Sequence, residues 1–464
     1  MGLHYDFIIV GSGVSGGRIA GELAEAGANC LLLEAGKDFR AQTFPGTEID
    51  TTAQMFWGGG IELNSDASIG MLRGKCLGGT SVINQALLDR FDEIAFSDWR
   101  DRSGVAFLSL EKTTPFYDEL EKKVAIQSIE ERYRNKNAQF FKKGFDLMGL
   151  HASPLRRAQT DCKFDHGSDC IACLGGCPRN SKQSSLVTSI IPALQKGLAL
   201  MAECEVQNIS SNNDQVEITA IQNQKQIKLT AHQCILAGGS FGNTKILFQS
   251  GLKQKSPALG TGFSCHPQLM SFGIYDEPID AHKGPLQSYK SDDLTLRRAG
   301  YKFENVAAPP IGTSMLLPGW GLEHLQLMKK YRYLASIEVC TRDEPNGTIS
   351  VGRSGKIKIH KPLTTQDHRK IKEGQNIIHE IFIKTGAKKV IISEQTFGLH
   401  LMGGCTIGVD AKKSVVNPEF ELHEMKNVYC ADSSIFPSAP GINPSFTIMA
   451  LSLKLTKNLL RGKA

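Results

Sequence analysis

Apolar and polar positions near the N-terminus follow an order that predicts a strand, a turn, a helix and a second strand within about thirty residues. The apolar run at residues 7–10 (FIIV) suits a buried parallel strand. Ile19, Leu23 and several alanines then recur at helical spacing, and a second apolar run at residues 30–33 leads into Glu34. This order predicts a β-α-β unit, which is the building block of a parallel sheet.

Three glycines in the turn, Gly11, Gly13 and Gly16, form the pattern G-x-G-x-x-G, which predicts a dinucleotide site at the start of the helix. The first permits a tight turn, the second lets the backbone approach a pyrophosphate, and the third lets the helix pack closely on the strand. Ser15 lies in the same turn, where we expect it to contact the cofactor. We expect Glu34 to accept hydrogen bonds from the ribose hydroxyls, and its charge disfavours the 2′-phosphate of NADP.

A second glycine-rich segment, RGKCLGGTSVINQALL, follows an irregular stretch. Gly78 and Gly79 remove side chains where the backbone must come close to something flat or charged. Thr80, Ser81 and Asn84 follow at what we predict to be a helix start. Two interpretations stay open at this point: a second cofactor contact, or simply a capped helix.

Apolar runs further along predict that the chain returns to the first sheet after leaving it. We predict a strand at residues 234–236, followed by a glycine turn that contains Ala237 and by a helix. Near the C-terminus we predict a strand at residues 428–430 that runs on to Asp432, and a final amphipathic helix that begins near Pro444. The nucleotide-binding domain is therefore predicted to be discontinuous in sequence.

The remaining patterns predict a covering layer and a second domain. Helical periodicity over residues 109–127 and 137–147 indicates helices that form a covering layer. Strand-like runs at residues 333–339 and 348–351 flank a Pro-Asn-Gly turn, and residues 367–385 have a helical pattern. These features predict a second domain built on an antiparallel sheet with helices.

A cysteine-rich segment between these parts has three alternative interpretations. Cys170, Cys173 and Cys177 have the spacing C-x2-C-x3-C-P, which is similar to the end of a bacterial ferredoxin ligand run, and Cys162 is a candidate fourth thiolate. Four thiolates also suit zinc, although the spacing matches no common finger. The third interpretation is a loop of unligated thiols, since free cysteine packs like a small hydrophobic residue.

Composition and charge narrow the class of protein. Hydrophobic residues make up 41% and charged residues 22% of the 464 residues, which argues against disorder and against a membrane bundle. A net charge of +6 without a dense Lys/Arg run gives no indication of nucleic-acid binding. The first strand begins six residues after Met1, so we expect no signal peptide, no transmembrane segment and a cytoplasmic location, with peripheral membrane association left open.

Together these motifs resemble those of the glucose–methanol–choline oxidoreductases, a family of FAD flavoenzymes that oxidise alcohols. The likeness extends over most of the chain. It rests on the N-terminal unit and on the segments RGKCLGGTSVIN, ILAGGSFGNTKIL, GFSCHP, HLMGGC and YCADSSIFPSAPGINPSFTIMAL.

The resemblance implies an α/β fold class (α+β overall), with a discontinuous Rossmann-type FAD-binding domain and a substrate domain on an antiparallel sheet with helices. The implied boundaries are 1–90, 155–265 and 391–464 for the FAD-binding domain, 91–154 for a helical covering segment, and 266–390 for the substrate domain. The implied cofactor-binding residues are Gly11, Gly13, Ser15, Gly16, Glu34, Gly79, Asn84, Val206, Ala237, Asp432 and Pro444.

The catalytic pair implied by the resemblance is His400 and Asn443. Oxidation of an alcohol removes a hydroxyl proton and a carbon-bound hydride, so the site needs a base near neutral pH and a donor to the oxygen. His400 is predicted to be the base and Asn443 the donor, with His266 the next candidate base. The helix start after Asn443 would face the flavin edge that gains negative charge.

Several alternatives stay open. The substrate is expected to be an alcohol, sugar or sterol, and the electron acceptor a partner protein or quinone rather than NAD. An oxygen-using alcohol or sterol oxidase and a flavin-dependent lyase are the alternatives. The chain is short for the family and has HLMGGC in place of the commoner H-x-x-G-T-C. Its cysteine segment resembles inserts in sterol and long-chain alcohol oxidases and, more loosely, in sugar dehydrogenases that carry iron–sulphur clusters.

Overall fold

The computed structural model describes residues 4–162, 173–212 and 214–462, and this part of the chain folds around two large β-sheets. The first sheet has eight strands, six of which lie side by side. In spatial order these six are Glu421–Leu422, Met425–Cys430, Lys225–Leu236, His4–Val10, Cys30–Leu33 and Ala199–Met201. Strands Val216–Gln222 and Cys204–Ser211 extend the sheet beside the long strand Lys225–Leu236.

The centre of the first sheet is parallel, as the apolar runs predict. Strand His4–Val10 pairs in parallel with Lys225–Leu236 on one side and Cys30–Leu33 on the other. Phe7 and its two isoleucine neighbours are completely buried, which explains why this strand is apolar on both faces. The helix Val14–Glu25 packs against the C-terminal helix Ser445–Arg461. The predicted Rossmann-type unit and the return of the chain to this sheet are confirmed.

The second sheet has nine strands and is largely antiparallel. Its strands are Glu62–Leu63, Ile69–Met71, Thr396–Gly398, Pro267–Ile274, Leu334–Thr341, Tyr301–Asn305, Tyr289–Ser291, Ala152–Pro154 and Lys389–Ile391. The helices Lys136–Leu147 and Thr365–Lys384 cover it and share a core with it. A capping box starts the second of these helices, with Thr364 and Asp367 bonding to each other's backbone amides. The predicted antiparallel sheet with helices is confirmed.

Two small sheets and the remaining helices complete the described chain. Strands Thr261–Phe263, Gly347–Val351 and Ile357–His360 form one small sheet, and strands Ile126–Ser128 and Arg156–Ala158 form the other. The other α-helices are Glu48–Met55, Thr80–Ile83, Glu93–Ser103, Leu110–Lys123, Ile191–Gln195, Gly239–Gln249, Leu294–Ala299, Pro310–Leu316 and Gly321–Met328. None of the helices in the described residues is long and apolar enough to cross a membrane.

The two sheets do not follow simple sequence boundaries. Strands Glu62–Leu63, Ile69–Met71 and Thr396–Gly398 lie in the second sheet, although the sequence-based boundaries group them with the nucleotide-binding parts. Strand Thr396–Gly398 pairs with strand Pro267–Ile274 and thereby carries the chain from the second sheet directly towards His400. The division into domains stays a prediction.

Candidate active site

A cavity of about 1440 Å³ lies between the two sheets. One end is lined by the glycine turn at residues 11–15 and by Glu34, and the other end by residues of the second sheet such as Gln268 and Glu338. All the predicted site residues other than Gly16, the second candidate base His266 and the cysteines line this one cavity. Residues as far apart in sequence as Gly11 and Pro444 are therefore brought to a common space.

The glycine turn meets two different steric demands. A Cβ on Gly16 would lie 1.8 Å from the carbonyl oxygen of Gly11, and one on Gly11 would lie 2.5 Å from the carbonyl oxygen of Ala237. A Cβ on Gly13 would meet no protein atom within 4 Å, although Gly13 lines the cavity. Gly11 and Gly16 are therefore needed for packing, whereas Gly13 leaves room for a ligand.

Glu34 is held in place by the turn itself. Its Oε2 accepts hydrogen bonds from the amide (3.1 Å) and the hydroxyl (2.5 Å) of Ser12, and its Oε1 accepts one from the Gly36 amide (2.8 Å). Burial raises the pKa of this carboxyl above its usual value. Both lone pairs of Oε2 are thereby engaged, whereas Oε1 retains capacity for a further donor. Glu34 lines the cavity, and its bond to the ribose stays a prediction.

Ser12 also connects the two glycine-rich segments, a role that sequence reasoning missed. Its hydroxyl accepts a hydrogen bond from the Gly78 amide at 2.8 Å while donating to Glu34. Gly79 has a φ of +53°, and a Cβ on it would lie 3.0 Å from Gly13 Cα. The second glycine segment therefore forms a wall of the same site. Its helix is the short Thr80–Ile83, with Asn84 at the C-terminal cap.

Lys182 is a second residue that sequence reasoning missed. Its buried ammonium donates to the carbonyl oxygens of Val82 (2.6 Å), Asn84 (2.6 Å) and Cys173 (2.5 Å). These three bonds satisfy all the donors of an ammonium group. The bonds fix the described end of the cysteine segment against the second glycine segment.

Asp432 is a buried carboxylate that follows strand Met425–Cys430 of the first sheet. Its Oδ2 accepts hydrogen bonds from the Gly239 amide (2.7 Å) and the Asn243 side chain (2.9 Å), and its Oδ1 accepts one from the Ser434 amide (2.8 Å). Burial raises its pKa above the usual value. Val206, in strand Cys204–Ser211 of the same sheet, and Ala237, directly after strand Lys225–Leu236, also line the cavity.

The predicted catalytic residues are both on the wall of this cavity. His400 and Asn443 both line the cavity, and Asn443 lies two residues before the helix Ser445–Arg461, whose first turn contains no acidic residue. His400 Nδ1 lies 3.1 Å from His266 Nδ1, and His266 Nε2 accepts a hydrogen bond from the Gly441 amide at 2.7 Å. Burial, together with the charge of Lys302, lowers the pKa of His400 to about 3.

Two family models described as GMC oxidoreductase match the chain, one over residues 52–268 and the other over residues 359–452. The chain belongs to the GMC oxidoreductase family. It is 24% identical to an uncharacterised GMC-type oxidoreductase of Mycobacterium tuberculosis, over 97% of this chain and 74% of that protein. Identity is 23% to a long-chain-alcohol oxidase of Arabidopsis thaliana (99% and 69% covered) and 22% to a cholesterol oxidase of Acinetobacter baumannii (97% and 93%).

The fold of this GMC oxidoreductase is similar to that of pyridoxine 4-oxidase from Mesorbium loti. The TM-score is 0.78 at 14% identity, and the match covers 98% of this chain and 99% of that structure. Members of the family are FAD flavoenzymes. The structure fits this cofactor, because Gly13 keeps space open at a helix N-terminus, Glu34 is placed for a ribose, and the start of helix Ser445–Arg461 lines the far part of the cavity.

A buried polar cluster, which sequence reasoning missed, supports Asn443 in this GMC oxidoreductase. The ammonium of Lys302 donates to Asn443 Oδ1 and lies 3.0 Å from Asp89 Oδ2 and 2.8 Å from Glu304 Oε1. The Gln287 side chain donates to both Glu304 (3.2 Å) and Glu338 (3.0 Å). Burial and the neighbouring Glu304 raise the pKa of Glu338 well above its usual value. Lys302 and Glu304 lie on one strand within no motif, so only the cross-strand pairing reveals the cluster.

The cysteine segment gives no support for an iron–sulphur cluster. Cys170 lies outside the described residues, and the comparisons with known proteins point to FAD alone. Cys162 Sγ lies 3.1 Å from the Ser181 hydroxyl, and burial raises the pKa of its thiol. Cys173 and Cys177 are free thiols. Among the described residues, the one group compact enough for a metal ion is His266, Cys340 and His400, which contains none of these cysteines.

Proposed function

We propose that this protein is an FAD-dependent oxidoreductase that oxidises the CH–OH group of a small molecule. The observation that carries the proposal is the shared cavity, which joins the glycine turn and Glu34 to His400 and Asn443. FAD bound there would supply the acceptor for the hydride that leaves the alcohol carbon. The protein's own part is to bind the alcohol oxygen, to control its proton and to exclude water.

The substrate oxygen is proposed to lie between His400 and Asn443. The ammonium of Lys302 occupies Asn443 Oδ1, so the amide nitrogen of Asn443, which has no partner among the described residues, remains as a hydrogen-bond donor. That supports the predicted role of Asn443. The sequence also predicts that His400 takes the hydroxyl proton, and this role depends on which of its ring nitrogens carries hydrogen.

The substrate is proposed to be an alcohol, sugar or sterol with an apolar body. Apolar side chains line the cavity beyond the predicted catalytic pair, among them Met270, Leu286, Leu316 and Phe397. Buried polar groups, Gln268 and Glu338, lie in the same wall and suit a further polar group on the substrate. The names of the alcohol and cholesterol oxidases among the relatives support this range of substrates.

The electron acceptor is proposed to be a partner protein or quinone rather than NAD, because FAD would occupy the dinucleotide site of this cavity. An oxygen-using oxidase is the second candidate, favoured by the oxidases named among the relatives. A lyase of the same family would need no acceptor. An iron–sulphur cluster at the cysteine segment would favour single-electron transfer to a partner, but Cys162, Cys173 and Cys177 do not form a group compact enough for a metal ion among the described residues.

Anaerobic mixing of the purified protein with a panel of alcohols, sugars and sterols tests the proposal. Loss of the flavin absorbance on mixing supports alcohol oxidation. Subsequent exposure to oxygen or to a quinone distinguishes the acceptors by the rate at which the absorbance returns. Turnover without bleaching would favour the lyase, and a colourless protein that binds NAD would contradict the proposal.

A further inference from the structure

The buried histidine pair has a hydrogen bond whose direction is fixed from outside the pair. The Gly441 amide donates to His266 Nε2 at 2.7 Å. A backbone amide can only donate, so His266 Nε2 must hold a lone pair. A neutral imidazole carries one proton, which in His266 therefore lies on Nδ1. That nitrogen is 3.1 Å from His400 Nδ1, which must accept. The single proton of neutral His400 then lies on Nε2.

Protonated forms of either ring conflict with these contacts. A cationic His266 would turn an N–H towards the Gly441 amide. A cationic His400 would place two N–H groups against each other across 3.1 Å. Burial lowers the pKa of both rings, and the positive charges of Lys302, Arg297 and Arg342 act on His266 in the same direction. The neutral pair with a single direction of donation is the arrangement that satisfies every contact.

We propose that His266 is a positioning residue that holds His400 in the Nε2–H tautomer, so that His400 presents a hydrogen-bond donor to the cavity. Among the described residues His400 Nε2 has no partner, and His400 lines the cavity. Asn443 presents a donor for a parallel reason, because Lys302 occupies its carbonyl oxygen. Two donors at one oxygen stabilise negative charge as it develops there, as in an oxyanion hole.

This inference changes the role that the sequence predicts for His400. In the Nε2–H tautomer Nδ1 accepts from His266 and Nε2 carries a proton, so His400 has no free lone pair with which to act as a base. The hydroxyl proton of the substrate must then pass to another acceptor. Glu304 is a carboxylate that lines the same cavity, and its Oε1 lies 2.8 Å from the Lys302 ammonium that also bonds Asn443.

An isosteric pair of variants tests the tautomer directly. Asparagine and aspartate can both place an atom where His266 Nδ1 lies, and both tolerate the left-handed backbone that His266 adopts, with a φ of 47°. His266→Asn can place its amide donor opposite His400 Nδ1, whereas an ionised aspartate in His266→Asp can only place an acceptor there. Both lose the bond to Gly441, so they differ in the direction of the remaining bond and in the charge that aspartate adds.

The measurement is the two-bond ¹H–¹⁵N spectrum of the ¹⁵N-histidine-labelled holoprotein, with the His400 signals identified by their loss in His400→Gln. We expect Nε2–H for His400 in the wild type and in His266→Asn, and Nδ1–H in His266→Asp. Nδ1–H in the wild type, or His400 that stays unprotonated at Nδ1 in His266→Asp, would overturn the proposal. This measurement does not depend on any substrate being found.

The donor role rests on the proposed function and has a separate kinetic test. The Nε2 of glutamine can donate from roughly the position of the histidine Nε2, but it cannot take a proton. His400→Gln should therefore reduce its flavin roughly tenfold to a hundredfold faster than His400→Ala, since one donor of this kind is typically worth about 10²–10³-fold. Equal rates would overturn the donor role. If no alcohol reduces the wild-type flavin, that result counts against the proposed function. The tautomer of His400 is then still tested by the ¹H–¹⁵N spectrum.

Discussion

Alanine at Gly13 and alanine at Gly16 should damage the protein in opposite ways. A Cβ on Gly16 would lie 1.8 Å from the Gly11 carbonyl oxygen, which is backbone and cannot rotate away. Overpacking of this kind costs about 1–3 kcal/mol or more, against about 1 kcal/mol that alanine gains over glycine inside a helix. A separation of 1.8 Å is far inside van der Waals contact, so the cost lies at or above the upper end of that range, and we expect Gly16→Ala to lower the free energy of unfolding by about 2 kcal/mol or more.

Gly13→Ala has no such conflict. The φ of Gly13 is −61°, which alanine adopts freely, and its Cβ would meet no protein atom within 4 Å. The free energy of unfolding should stay within about 0.5 kcal/mol of the wild type. The methyl group would instead project towards a bound pyrophosphate, at a cost of about 1–3 kcal/mol, or roughly fivefold to 150-fold in FAD affinity.

Urea unfolding of the FAD-free proteins and FAD titration by flavin fluorescence separate the two effects. We expect Gly16→Ala to be destabilised and Gly13→Ala to be stable but poor in FAD binding. Wild-type FAD affinity in Gly13→Ala would refute the placement of the pyrophosphate at this turn. Wild-type stability in Gly16→Ala would refute the close packing of the helix on the strand.

Four further results are expected. His400→Ala should keep its FAD but slow anaerobic flavin reduction at least about 10²-fold, measured by stopped flow; a wild-type rate would place the chemistry elsewhere. Lys302→Met leaves Glu304 without its cation and Asp89 with Lys290 alone, and it should cost about 3–5 kcal/mol in urea unfolding, whereas an unchanged midpoint would contradict the buried cluster. The pKa values of His266 and His400 are lower in the folded protein than in the unfolded chain, so the unfolded chain takes up protons first as pH falls. The free energy of unfolding should therefore decrease by about 1.4 kcal/mol per pH unit for each histidine below about pH 6.5. A flat profile would show that both histidines are charged in the folded protein. Iron with acid-labile sulphide that disappears in Cys173→Ser would revive the cluster interpretation, zinc alone would indicate a structural metal, and we expect neither.

The parts of the fold that follow from local pattern were predictable from the sequence. The strand at residues 7–10 is buried on both faces and therefore apolar throughout, and Gly11 and Gly16 in the turn after it have steric requirements that only glycine meets. The helix predicted over residues 367–385 forms as Thr365–Lys384, because its capping box and its apolar stripe agree. Short strands such as Ile69–Met71 were not predicted, since three residues carry too little pattern.

The candidate site was predictable only where a motif marks it. His400 and Asn443 lie in motifs, and the structure brings them to one cavity. Lys302 and Glu304 lie two residues apart in a strand that carries no motif, so their side chains share a face that sequence alone does not assign to the site. The donor direction within the histidine pair depends on the Gly441 amide, which no side-chain pattern reveals.

The central claim is that this GMC oxidoreductase holds FAD in the shared cavity and oxidises an alcohol there. Stopped-flow spectra of the yellow holoprotein mixed anaerobically with the substrate panel test it most directly. We predict that at least one alcohol bleaches the flavin band, and that His400→Ala, with the same FAD content, bleaches at least about 10²-fold more slowly. A protein that contains FAD but is bleached equally fast in the wild type and in His400→Ala would contradict the account.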